Sequence, residues 1–198
     1  MLILHLSDTH SKHNELRNLP PADIIIHSGD ISFAGSENEV MDFIEWFGAL
    51  PYKYKIFIAG NHDDCLFEAN IDGLLPQNCF YLYNSSVSIE GVKFYGTPMF
   101  MEDAMSGDYD RNIQKIPSDT NVLITHQPPK GILDYSANIN YGDCNLLQIV
   151  LKTKPKYHLF GHIHGAYGIE KSEHTTFVNA AILSENYELM YEPILLKI

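Results

Sequence analysis

Basic residues are scarce in this sequence. Lys and Arg number 13 against 25 Asp and Glu, a formal net charge of -12, which repels a polyanion and argues against a general nucleic-acid binder. Only Arg17 and Arg111 carry a guanidinium, so a small anion bound here would have to draw its positive charge from metal ions. Cysteine is nearly as scarce: Cys65, Cys79 and Cys144 make an odd count of 3 with no C-x-x-C pair. That suits a reducing compartment such as the cytosol better than a disulfide framework. Nothing around Cys65 suggests an activated thiolate, and packing is the expected role. No apolar run approaches the ~20 residues needed to span a bilayer. Met1 to Leu6 is apolar but short, lacks a basic leading segment and runs straight into Ser7-Asp8, so it reads as a first strand and not as a signal peptide. Like charges nowhere run to five, and no repeat, low-complexity tract or linker interrupts the chain. With 198 residues, 45% hydrophobic and 19% charged, one soluble domain over 1–198 is expected.

What is present is a repeated local grammar. Leu2 to Leu6 is a buried β run that ends in Ser7-Asp8-Thr9-His10. A short helix is expected from Asn14 to Leu19, stopped by Pro20-Pro21. Ile24 to His27 is the next β run, ending in Ser28-Gly29-Asp30. Ser36 and Glu39 have capping-box spacing, and Val40, Phe43, Ile44, Phe47 and Leu50 recur at helical intervals, so Ser36 to Leu50 reads as an amphipathic helix. Lys55 to Ala59 is the third strand and ends in Gly60-Asn61-His62-Asp63. Strand, polar loop and helix in alternation imply a largely parallel sheet, with the ligand site beyond the strands' carboxyl ends.

The pattern then changes. Phe80 to Tyr83, Val87 to Ile89 and Val92 to Tyr95 read as short strands opening a second, partly antiparallel sheet. Gly96 to Pro117 has no clear period and reads as loop or short helices. Asn121 to Thr125 is a buried strand followed by His126 and two prolines; Asp143 to Lys152 reads as a helix; Tyr157 to Phe160 leads into Gly161-His162-Ile163-His164. Closing strands are expected at Gly168 to Lys171, Thr175 to Asn179, Tyr187 to Tyr191 and Ile194 to Lys197. Gly96 to Pro117 and Pro128 to Asp143 are the stretches long enough to wall a pocket.

Five loops thus deliver Asp8 and His10, Asp30, Asn61 with His62 and Asp63, His126, and His162 with His164 to one edge. Imidazole and carboxylate suit Zn, Mn or Fe, and so many ligands exceed the needs of one ion. Side chains two apart on an extended segment point the same way, so Asp8 with His10, and His162 with His164, are each expected to converge. His5, His27, His158 and His174 fall outside this pattern and read as structural. His13 follows His10 by three residues and is a candidate to reach a substrate phosphate.

The ordered blocks D-x-H, G-D, G-N-H-D, a lone His before prolines and G-H-x-H resemble the signature of the calcineurin-like metallophosphoesterases. The wording around Ser7 to Ser11, Tyr95-Gly96-Thr97-Pro98 and Thr175 to Ala180 is most similar to the subfamily containing the animal brain metallophosphoesterase-domain proteins. The resemblance implies an α/β fold of four layers, α/β/β/α, with two mixed sheets flanked by helices. It implies two divalent metal ions, Mn, Fe or Zn: a first held by Asp8, His10, Asp30 and His164, a second by Asp30, Asn61, His126 and His162, with Asp30 bridging. Water or hydroxide between them would attack phosphorus, while His62, held by Asp63, would protonate the leaving oxygen; Asn61 and His13 are candidate substrate contacts. The implied activity is a phosphodiesterase on small esters such as cyclic nucleotides. A phosphomonoesterase or nuclease with the same site is the enzymatic alternative, and a non-catalytic protein-binding scaffold the alternative from another class. A cytoplasmic protein with a small phosphoester partner, no membrane and a possible homodimer completes the expectation.

Overall fold

The computed structural model describes residues 1–198. In chain order the strands are β1 Leu2–Leu6, β2 Ile24–Ser28, β3 Tyr54–Ile58, β4 Cys79–Tyr81, β5 Ser85–Ile89, β6 Val92–Thr97, β7 Val122–Thr125, β8 Tyr135–Ser136, β9 Ile139–Asn140, β10 Tyr157–Phe160, β11 Gly168–Lys171, β12 Thr176–Asn179 and β13 Ile194–Lys197. The helices are α1 Glu37–Ala49, α2 Met101–Ser106, α3 Asp108–Ile113 and α4 Cys144–Thr153. One sheet has the order β13-β1-β2-β3-β4 and the other β11-β12-β10-β7-β6-β5, while β8 and β9 form a separate hairpin. Each large sheet is parallel at its centre and carries antiparallel strands only at an edge.

Alternation along the strands builds the layers. Ile3, Ile24, Ile26, Ile56 and Ile58 face Phe94, Val122, Ile124, Leu159 and Val178 across the gap between the sheets. The intervening Leu4, Ile25 and Phe57 point the other way and pack on Phe43 and Phe47 of α1. On the far side Tyr95, Leu123 and Phe160 meet Leu146, Ile149 and Val150 of α4 and Ile113 of α3. Three apolar interfaces separate four layers, α/β/β/α, and central strands buried on both faces explain why they read as continuous apolar runs.

The α1 start is a full capping box: the Ser36 amide donates to Glu39 Oε2 at 3.1 Å and the Glu39 amide to Ser36 Oγ at 3.4 Å. The helix ends at Leu50, before Pro51. Three sequence expectations are corrected. The segment from Asn14 to Leu19 forms only a 3-10 turn over His13–Glu15, because Pro20-Pro21 leaves too few residues for a nucleus to extend. The Phe80 to Tyr83 run does not open the second sheet; β4 pairs parallel to β3 and closes the first. Tyr187 to Tyr191 is not a strand. Tyr187 has φ 59° and only an isolated Leu183–Leu189 bridge forms there.

The sheets are stitched together at the end where the site loops emerge. Past β1 the Ser7 amide donates to Ala180 O at 2.9 Å, and the Ile182 amide returns to Ser7 O at 3.1 Å. The loops after β1 and β2 run as a ladder: Asp8 N to Gly29 O at 3.0 Å, His10 N to Asp30 O at 3.0 Å, Ser11 N to Ile31 O at 2.9 Å. Gly161 N to His126 O at 3.1 Å joins the loops after β10 and β7.

Candidate metal centre

The site loops are not extended. Asp8, His10, Asp30 and His162 have φ of 57°, 40°, 55° and 68°, a left-handed conformation that costs a non-glycine residue ~1 kcal/mol or more and that clusters at functional sites. Asp8 and His10 bring ligand atoms into one group, whereas His162 and His164 fall in different groups and share only the lining of one cavity; these turns and a 3-10 turn over His164–Ala166 place them, not strand alternation as the spacing suggested. Glycine is required beside them. A Cβ on Gly60 would lie 2.1 Å from Asp30 Oδ1, and one on Gly161 would lie 2.0 Å from Asp8 Oδ2.

Three groups of side chains bring their ligand atoms within 4.8 Å of one another: Asp8, His10 and His164; His10, Asp30 and His62; Asp30, His126 and His162. Asp30 belongs to the second and third and touches His10 of the first. Its Oδ2 is 3.5 Å from His10 Nε2 and 3.3 Å from His126 Nε2. His164 Nε2 is 3.5 Å from Asp8 Oδ1 and 3.3 Å from His10 Nε2, and Asn61 Oδ1 is 3.1 Å from His126 Nε2.

The backbone sets which nitrogen each imidazole presents. Nδ1 of His10 faces Ser32 O at 3.2 Å, Nδ1 of His126 faces Ser28 O at 2.9 Å, Nδ1 of His164 faces Ser184 O at 2.9 Å and Nδ1 of His62 faces Phe33 O at 2.9 Å. A carbonyl only accepts, so each Nδ1 carries a proton and each ring turns Nε2 away from the backbone, the arrangement by which proteins orient metal-ligating histidines. These carbonyls have no signature in side-chain identity, so the sequence does not announce them. The donor set, the shared carboxylate and the inward Nε2 atoms all fit divalent ions of the Mn, Fe and Zn kind.

The electrostatics are those of a nearly dry cluster. Asp8 is wholly buried, which raises its pKa, but His164, His126 and His10 more than compensate and hold it well below the ordinary carboxylate range. Burial lowers His126, yet Asp30 and Asp8 beside it raise the ring to about 9. Burial, with His126 adding to it, pushes His162 down to about 4.

Two expected roles change. Asp63 does not hold the His62 ring. Its buried carboxylate accepts from the Gly60 amide at 2.8 Å, the Ile31 and Ser32 amides at 3.2 and 2.9 Å, and Ser32 Oγ at 2.7 Å. It clamps the loop after β2 to the loop after β3, while His62 is oriented by Phe33 O and its amide donates to Asp30 Oδ1 at 3.0 Å. Burial, with Asp30 adding to it, raises Asp63 to about 6. His13 does not face the site: it is fully buried beneath α1, Nε2 2.9 Å from Asp42 Oδ2, its ring against Phe43 and Trp46. The turn over His13–Glu15 rotates it away from the direction taken by His10. His5, His27 and His158 are buried within strands, each bonded through Nε2 to a hydroxyl, of Ser28, Thr9 and Thr125 respectively.

The family model described as calcineurin-like phosphoesterase matches residues 1–166, which include every residue of the cluster. The chain belongs to the calcineurin-like phosphoesterase family. A Caenorhabditis elegans protein of the UPF0046 group is 36% identical over 98% of this chain and 79% of its own length. Human metallophosphoesterase domain-containing protein 1 is 33% identical over 96% of this chain and 69% of its own length. Among solved structures, TT1561 of Thermus thermophilus has a TM-score of 0.61 at 13% identity, covering 91% of this chain and 88% of that one. GAP50, the anchor in the inner membrane complex of Plasmodium, has a TM-score of 0.57 at 12% identity, covering 100% and 77%; both likenesses concern the fold alone. Membership in the calcineurin-like family places this chain among phosphoester hydrolases, and its clustered Asp and His side chains are the possible metal ligands. No helix is long and apolar enough to cross a membrane.

Proposed function

We propose that the protein is a dinuclear-metal phosphodiesterase acting on small diesters such as cyclic nucleotides. The observation that carries this reading is the position of Asp30, one carboxylate oxygen within 3.5 Å of His10 Nε2 and 3.3 Å of His126 Nε2. Asp8, His10, Asp30 and His164 would hold one ion; Asp30, Asn61, His126 and His162 the other. Bound there, two divalent ions of Mn, Fe or Zn would supply an activated water and neutralise the phosphoryl oxygens.

The chain's own residues supply the rest. Asn61 offers a neutral oxygen at the half of the site where His126 and His162 already crowd, so it also has a donor NH2 for a phosphoryl oxygen. His62, whose Nδ1–H is committed to Phe33 O, presents Nε2 on the open side and, as the imidazolium, would give the Nε2 proton to the leaving oxygen. Asp63 keeps that loop in register with the loop bearing Asp30. The net charge of -12 disfavours a long nucleic-acid substrate and favours a small one. A phosphomonoesterase would use the same centre, and the presence of every ligand position weighs against a purely structural scaffold.

The test is a screen of protein reconstituted separately with Mn, Fe, Co, Ni and Zn. The substrates are bis-p-nitrophenyl phosphate, 2′,3′- and 3′,5′-cyclic nucleotides, and nucleotide monoesters. Diesters should be hydrolysed faster than monoesters, and absence of turnover with all five metals would overturn the reading.

A further inference from the structure

A cavity of about 290 Å³ opens beside the metal centre, lined by Ser136, Tyr141, His162, His164, Glu185 and Tyr187 together with Ile163. Its volume is near the lower end of small-molecule sites, enough for one ring system. Away from the imidazoles of His162 and His164 it offers two phenols, a hydroxyl and a carboxylate, with no Lys or Arg among the lining residues.

The walls are built, not incidental. Tyr187 takes a left-handed backbone, φ 59°, and is held there by its amide donating to Ser184 O at 2.8 Å and by Lys12 Nζ donating to its carbonyl at 2.6 Å. Its ring meets those of His10 and His164 at 4.9 and 5.2 Å, and of Phe33 at 5.5 Å. Two of the candidate metal ligands therefore fix its plane. The opposite wall is the β8–β9 hairpin. Asp134, 1% exposed, organises it by accepting from the Gly131 and Gly142 amides, each at 2.9 Å. Gln127 Nε2 donates to Tyr141 O at 3.3 Å, tying that wall to the residue after His126. Ser136 Oγ donates to Glu185 across the cavity mouth.

Resting on the phosphodiesterase reading above, we propose that this cavity is the subsite for the organic substituent of the ester. It selects a neutral, ring-bearing, hydroxylated group and rejects one that carries a second anion. Tyr187 supplies a stacking face close to the phosphorus. Glu185 accepts hydrogen bonds from hydroxyls and repels a further phosphate or carboxylate, with no Lys or Arg among the lining residues to offset it.

Three diesters sharing a p-nitrophenyl leaving group test this, their second substituent being methyl, adenosine-5′-yl or 3′-phosphoadenosine-5′-yl. The leaving group is constant, so ratios of kcat/KM within one variant report the subsite alone. The wild type should prefer the adenosyl over the methyl diester by about tenfold, the range of one aromatic stack, and the 3′-phosphate should abolish the preference. Tyr187→Ala should collapse the adenosyl-to-methyl ratio towards one, chiefly through KM, and Tyr187→Phe should restore it. Glu185→Gln should narrow the penalty of the 3′-phosphate by several-fold. Saturation-transfer NMR with adenosine alone gives a readout independent of turnover: the purine protons should be saturated in the wild type and not in Tyr187→Ala. Equal kcat/KM for the methyl and adenosyl diesters in the wild type, with both turned over, overturns the subsite and leaves the hydrolase reading intact. No turnover of any diester removes the reading itself and the subsite with it.

Discussion

His62 and Asp63 are neighbours in sequence with separate tasks in space. The G-N-H-D block makes an Asp-oriented imidazole the natural expectation, but the carboxylate is turned inward to four donors on two loops, and a backbone carbonyl orients the ring. The clustering of these Asp and His side chains was legible from residue type and order. The orienting carbonyls of Ser28, Ser32, Phe33 and Ser184 were not, because every residue has a carbonyl and only the fold aims it. His13 failed for a related reason: spacing after His10 cannot reveal that one 3-10 turn sends it under α1 to Asp42. If His62 donates a proton to the leaving oxygen, its loss should matter in proportion to the leaving group's basicity. We expect His62→Ala to lower kcat by about 10²–10⁴ on an alkyl diester and by much less on bis-p-nitrophenyl phosphate. Equal losses on the two would exclude the proton-donor role.

At the scale of elements, the parallel centre of both sheets was readable because fully buried strands leave short unbroken apolar runs, as in the three isoleucines that open Ile24–Ser28. The α1 boundary was readable because Ser36 and Glu39 cap it by side chain. The membership of β4 was not: a run of three residues pairs with whichever edge the chain reaches, and local sequence does not encode that edge. Nor was the left-handed backbone at Asp8, His10 and Asp30. Those residues adopt it because neighbouring loops form a ladder, an interaction between segments that lie about 20 residues apart and that no local propensity predicts. Gly161 and Gly60 are needed beside those loops, since a Cβ on either would strike Asp8 or Asp30.

At the scale of the whole molecule, three buried strand histidines contribute to the acid limb of stability. Burial lowers His5, His27 and His158 from 6.5 to about 3 each. Between pH 6.5 and 3 the unfolded chain therefore binds more protons than the folded one, so stability is present at neutral pH and is lost as pH falls through that window. In the metal-free protein His126, raised to about 9 by Asp30 and Asp8, acts in the opposite sense, contributing stability below 6.5 that fades as pH rises through 9. The denaturant midpoint should therefore peak near neutrality and fall towards pH 5. In His158→Phe the acid slope should ease by about 1.4 kcal/mol per pH unit, the equivalent of one proton; an unchanged slope would show that His158 is not buried neutral.

Four layers, five loops and one carboxylate converge on a single claim, that Asp30 is shared by two metal ions. Elemental analysis of protein loaded with excess divalent metal and then desalted tests it most directly, with Asp30→Ala measured beside the wild type and circular dichroism confirming that both are folded. The account predicts about two ions per wild-type chain and fewer than one in the variant, since a bridging ligand serves both positions. Equal metal content in the two proteins would contradict it.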